Sequence, residues 1–194
     1  MSFFKKLFKQ TSSKDQDAKK EEVHLSLDDA FVHHFIEKGG KFLYCISKEE
    51  VLLNLRQILK ETSWIQVSCF DEELQKIIGK TEVKITSELD PKYPFFTSCE
   101  HLISDNGDIL FSSNQLSSHK IASLTDNFIV FAKTSQLVKN TGEGLTGIKT
   151  NYKEHIPTNI SAIKNYSLQK VEEDFLNYSN SNSKNLYLLL LEDL

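Results

Sequence analysis

Apolar residues in this chain gather into short dense runs, and helix-spaced stripes separate one run from the next. Residues 41–46 (KFLYCI), 64–70 (WIQVSCF) and 127–132 (NFIVFA) have strand length and are rich in aromatic and β-branched side chains. Before the first run, Phe31, Phe35 and Ile36 share one face of a predicted helix that Gly39-Gly40 ends. After it, Ser47 and Glu50 have the spacing of a capping box, and Val51, Leu52, Leu55, Ile58 and Leu59 continue a helix of about four turns. Residues 73–78 (ELQKII) predict a second, short helix. Strands apolar on both faces that alternate with helices predict a mainly parallel sheet covered by helices. The run Leu186 to Leu191 belongs in the middle of that sheet, because six such residues on an exposed edge would invite aggregation.

Pro91 and Pro94 interrupt the alternation ahead of residues 95–113 (FFTSCEHLISDNGDILFSS), where two apolar runs meet around Asp105-Asn106-Gly107-Asp108. Asn-Gly between apolar runs predicts a hairpin with a two-residue turn, since both residues tolerate positive φ. An antiparallel or bulged feature is therefore expected there. Residues 134–140 (TSQLVKN) predict the start of a capped helix, and Gly142, Gly144 and Gly147 a loose connection after it. Those glycines match the dinucleotide fingerprint in spacing, but the fingerprint requires a strand immediately before it, and the pattern here is helix-like.

The first 22 residues stand apart from the globular pattern at 23–194. Phe3, Phe4, Leu7 and Phe8 fall at helical spacing among Lys5, Lys6 and Lys9, followed by a Ser/Lys/Asp-rich tether. A short amphipathic element of this kind has two readings, a frayed terminus or a weak membrane-surface or partner contact through residues 1–9. No apolar run reaches transmembrane length, and the start lacks a signal-peptide pattern, which predicts a cytoplasmic protein. A net charge of −4 without a basic, aromatic-interleaved stripe argues against nucleic acid as a partner. The three cysteines, Cys45, Cys69 and Cys99, are widely spaced in apolar runs and read as buried free thiols; no cluster or zinc motif and no cofactor follows from them. His33 and His34 point in different directions around their helix, so a shared metal is not expected.

Candidate chemistry concentrates near the hairpin. The turn offers the carboxylates of Asp105 and Asp108 with the groups of Asn106 and Gly107, beside a polar ledge of Thr97, Ser98, Ser112 and Ser113. Across a crevice, Lys133, Thr134 and Ser135 begin the expected helix, where hydroxyls and amides serve either as an N-cap or as an anion seat. In an extended strand Glu100 and His101 point apart, whereas Cys99 and His101 share a face. No third orienting group completes a nucleophilic triad, so no catalytic residue is assigned.

The segment Ser104, Asp105, Asn106, Gly107, Asp108 and Ile109 resembles the signature turn of the LUD-domain (lactate-utilisation) family, with Gly107 the clearest identity. Residues 123–138 resemble the family's next strand and helix, and residues 185–194 its closing strand, so the likeness runs from about residue 30 to 194. The chain departs from the family where a Gly-Pro-Ser-x-Thr-Ala-Asp-Ile-Glu segment is usual. His155 to Lys164 keeps Pro157 and a hydroxyl residue and lacks both acids. The resemblance implies a three-layer α/β/α sandwich of the NagB/RpiA/CoA-transferase-like kind. It also implies an accessory role in oxidation of L-lactate to pyruvate alongside separate iron-sulfur proteins. The alternative expectation is an isomerase or acyl/CoA-transferase-type enzyme with its site at the Asp105–Asp108 turn.

Overall fold

The computed structural model describes residues 25–168 and 182–193; the N-terminal amphipathic segment lies outside them. Six strands form one sheet in the order β1-β10-β7-β4-β2-β3, all neighbours parallel. They are β1 (Lys41–Cys45), β2 (Gln66–Ser68), β3 (Lys84–Thr86), β4 (Phe95–Thr97), β7 (Asn127–Lys133) and β10 (Asn185–Leu191). The leucine-rich β10 lies in the interior of the sheet, as its composition requires, pairing with β1 on one edge and β7 on the other. A second sheet, in the order β8-β5-β6-β9, is built from β5 (His101–Ile103), β6 (Asp108–Phe111), β8 (Leu137–Val138) and β9 (Ser161–Ile163).

Side-chain alternation divides the interior. Ile129, Leu189 and Leu191 point to the face covered by α2 (Lys48–Thr62) and α3 (Glu72–Ile78), where Val51, Leu55, Ile58, Leu74 and Ile78 are buried. Phe128, Val130, Leu188 and Leu190 point to the other face, which is covered by α1 (Leu27–Glu37) and by Leu102, Ile109, Phe111 and Ile163 of the second sheet. Helix–sheet–second-layer stacking is thus the three-layer α/β arrangement expected, with one outer layer made partly of strands. A further helix, α5 (Thr141–Asn151), covers the far face of the second sheet.

The caps follow local chemistry. Ser47 Oγ accepts from the Glu50 amide at 3.2 Å, and the Glu50 carboxylate reaches back to the Ile46 amide at 2.9 Å. In α1, Phe31 and Phe35 are buried, but Ile36 is 53% exposed, so the apolar stripe is narrower than its spacing implies.

Two elements differ from expectation. Residues 134–136 form a single 3-10 turn and the chain then enters β8, so no helix starts at Thr134. The helix comes later and contains all three glycines that had read as a loose connection. A Cβ at Gly144 would sit 2.9 Å from Leu110 Cδ1, and one at Gly147 2.7 Å from His101 Nε2. Close approach of helix to sheet accounts for both glycines.

The predicted hairpin is present, with Ile103 opposite Asp108. Its connection is longer than a two-residue turn: Ser104 to Gly107 form a loop closed by the Gly107 amide on the Ile103 carbonyl at 2.8 Å. Within it Gly107 takes φ +70°, and an added Cβ would lie 2.6 Å from the Phe35 amide nitrogen. Left-handed strain and a backbone clash coincide, so Gly107→Ala is expected to destabilise the fold by at least about 2 kcal/mol. A denaturant midpoint close to wild type would contradict this.

Candidate functional site

Parallel strands put all their carboxyl ends on one edge, where α/β sheets bind ligands when successive connections leave on opposite faces. That condition is met between β2 and β4: β2 leads into α3 on one face, β4 into the second sheet on the other. Asp71 ties the two exits together. Its Oδ1 caps α3 through the Glu73 and Leu74 amides at 2.9 and 3.1 Å, and its Oδ2 accepts from Ser98 Oγ at 3.3 Å. Thr97, 2% exposed, turns its hydroxyl onto the Ser98 carbonyl at 3.0 Å.

At the end of neighbouring β7, where the residues left an N-cap and an anion seat open, Thr134 and Ser135 hold a carboxylate from the same chain. Asp193 Oδ1 accepts from Thr134 Oγ1 and the Ser135 amide, both at 2.9 Å, and Oδ2 accepts from Ser135 Oγ at 2.7 Å. The Asp193 amide donates back to Thr134 Oγ1 at 3.1 Å. Burial acts to raise the Asp193 pKa, but the Ser135 and Thr134 hydrogen bonds, with Lys133 nearby, outweigh it and hold the carboxyl below its usual value. The seat therefore recognises a carboxylate, and it joins the exit of β10 to that of β7.

The turn lies elsewhere. Asp108 accepts at both oxygens, Oδ1 from Lys38 Nζ at 2.8 Å and Oδ2 from Asn106 Nδ2 at 3.1 Å. Lys38 precedes β1, so this contact sits at the amino-terminal edge of the sheet. Tyr166 donates to the Gly107 carbonyl at 2.6 Å, and His34 Nδ1 lies 2.9 Å from the Ser104 carbonyl. Asp105 is exposed, its amide bonded to the Lys139 carbonyl at 2.9 Å. The expected crevice with Asp105, Asn106, Gly107 and Asp108 on one side and Thr134 and Ser135 on the other is not formed; the two groups occupy opposite edges. Of the polar ledge, Ser112 and Ser113 lie at the base of the hairpin, away from its tip. Ser113 exchanges hydrogen bonds with Thr158 at 2.8 and 3.0 Å, which fixes the Pro157 segment ahead of β9.

Two groups beside the hairpin base escape a reading by short motifs. Glu100 is 7% exposed, and its Oε1 accepts from Ser112 Oγ at 2.5 Å, Asn114 Nδ2 at 3.0 Å and Gln115 Nε2 at 3.1 Å. Tyr152 stands close enough that burial, then the Glu100 charge, raises its hydroxyl pKa. The signal for this cluster was the capping pattern Ser112 to Gln115, which α4 (Ser113–Leu116) uses. His101 turns instead toward α5, with Nδ1 3.3 Å from the Gln136 carbonyl. Cys99 does not share its face: the strand begins only at His101, and Cys99 lies in the core between the sheets. Burial raises all three thiols, Cys69 to about 12. Among the described residues no group of three or more His, Cys, Asp or Glu is placed to hold a metal ion, and no helix is long and apolar enough to cross a membrane.

A parallel sheet whose connections part at its carboxyl edge, overlaid by a small mixed sheet, defines an α/β domain with a polar carboxyl edge. The LUD domain family model matches residues 29–191, and the chain belongs to that family, which associates it with lactate utilisation at the family level. Comparison with curated proteins gives no match. The fold is similar to the crystal structure of a DUF162 family protein from Deinococcus radiodurans, with TM-score 0.60 and 12% identity, over 87% of this chain and 99% of that one.

Two outcomes follow from the electrostatics. Asp108→Ala strips the partner from a half-buried lysine and is expected to cost roughly 2 kcal/mol, whereas Asp105→Ala stays within about 0.5 kcal/mol; equal losses in urea unfolding would refute the assignment. For Asp193, a folded pKa below the ordinary 3.8 stabilises the fold above that value and ceases to do so as pH falls through the folded pKa. Asp193→Asn should therefore lower Tm at pH 7, and the gap to wild type should close in melts taken progressively below pH 3.8.

Proposed function

We propose that this protein is a cytoplasmic accessory component of lactate utilisation, acting beside separate iron-sulfur proteins that carry the electrons when L-lactate is oxidised to pyruvate. Membership of the LUD domain family over residues 29–191 carries the reading. The chemistry of the chain agrees with it. Cys45, Cys69 and Cys99 are buried and free, and burial disfavours the thiolate that would ligate iron, so electron transfer falls to other subunits. Three unpaired thiols also fit a reducing compartment.

An isomerase or acyl-transferase with Asp105 or Asp108 as base draws no support from the turn. Asp108 is bound to Lys38 and Asn106, and both lie far along the sheet from the carboxyl edge.

The role is tested by deleting the gene and comparing growth on L-lactate with growth on glucose, together with affinity purification of the full-length protein under anaerobic conditions. Selective loss of growth on lactate and recovery of iron-sulfur proteins are expected. Unchanged growth with no such protein retained would remove the proposal.

A further inference from the structure

One hollow on the molecule belongs to none of these contacts. It lies between the first turns of α2 and the length of α3, opens beside the carboxyl ends of β7 and β10, and has a volume of about 420 Å³. Its floor is hydrocarbon: Val51, Leu52, Leu74, Ile77, Phe131 and Leu191. Its rim carries Lys48, Lys76, Lys80 and Lys133 against Glu49 and Glu73. Four cations less two anions leave +2 around this hollow, in a chain whose net charge is −4. Lys76 is paired with Glu73 at 2.5 Å, while among the described residues Lys48, Lys80 and Lys133 form no ion pair.

Apolar floor and cationic rim select for different parts of one ligand. An inorganic anion would leave the floor wet, and a neutral hydrocarbon would leave the net positive charge of the rim uncompensated, since Glu49 and Glu73 offset two of its four cations. The volume falls in the range of small-molecule sites, which are mostly apolar with a few placed polar groups. The hollow opens on the carboxyl edge of the parallel sheet, beside β7 and β10 and apart from the divergence between β2 and β4.

We propose that this hollow binds an amphipathic carboxylate, its hydrocarbon body on the Leu52–Ile77–Phe131 floor and its head group among Lys48, Lys80 and Lys133. The site is separate from the Thr134–Ser135 seat, which Asp193 occupies, and it does not depend on the accessory role.

The full-length protein is titrated calorimetrically with decanoate, octanoate, decanol and acetate, and the contact is located by methyl chemical shifts. Decanoate is expected to bind with shifts at Val51, Leu52 and Ile77. Octanoate, two methylenes shorter, should bind about tenfold more weakly. Decanol and acetate should each bind far more weakly than decanoate. The exposed Lys48→Gln/Lys80→Gln double variant should lose about three- to tenfold in affinity and keep the wild-type circular dichroism spectrum. Leu52→Asp tests the floor separately and should abolish the shifts. No dependence on chain length, equal binding of decanol and decanoate, or an unchanged affinity in the lysine variant would overturn the proposal.

Discussion

Everything in this molecule is organised around β10. It pairs in parallel with β7 over its full length and with β1 along its other edge, so it joins β1 to the rest of the sheet. Both of its partners are remote in sequence, and the loop-closure entropy of bringing them together is offset by leucines buried on both faces. A run so uniform as Leu188 to Leu191 has little to distinguish one pairing from another displaced by two residues, because such a slip keeps every side chain on its own face. Polar groups at the two ends supply the distinction. Before the strand, Lys184 is 3% exposed and donates to the Leu124 carbonyl at 3.0 Å, with Asp126 at 3.6 Å; burial lowers its pKa and Asp126 works against that. After the strand, Asp193 is held by the donors of Thr134 and Ser135.

The two faces of the sheet are treated differently, and that asymmetry separates the chemistry. Helices α2 and α3 cover one face and leave the amphipathic hollow at its carboxyl edge. The other face carries α1 and the second sheet, whose hairpin tip is drawn down to the amino edge by Lys38, His34 and Tyr166. Asp108 thereby becomes a structural anion. The polar residues that stay at the carboxyl edge are the ones that bridge strands: Asp71 with Ser98, and Asp193 with Thr134 and Ser135.

Features set by local rules were readable from the chain. Dense apolar runs marked β1, β7 and β10, although β1 is a half-buried edge strand and not an interior one; Asn106-Gly107 marked the hairpin, and Ser47 the start of α2. Contacts between distant elements were not. Nothing near Asp105 indicates that its hairpin runs back toward the amino edge, and nothing near Thr134 shows that its hydroxyl meets Asp193. Thr134-Ser135 has the composition of an N-cap, yet the chain continues into β8, because Leu137 and Val138 find Leu102 and Ile103 as parallel partners. Residues 155–160 show the same limit: their use as the lead into β9, held by Ser113 through Thr158, is visible only in the fold.

Helix α5 carries the reverse lesson. Each of Gly142, Gly144 and Gly147 disfavours a helix by about 1 kcal/mol relative to alanine, so this segment has little tendency to be helical away from the second sheet. Its order is lent by His101, Ile103 and Leu110, which only glycines allow it to approach so closely. The outer face of the hairpin is therefore covered by a helix whose order depends on the sheet it covers, so loss of the hairpin would remove the helix with it.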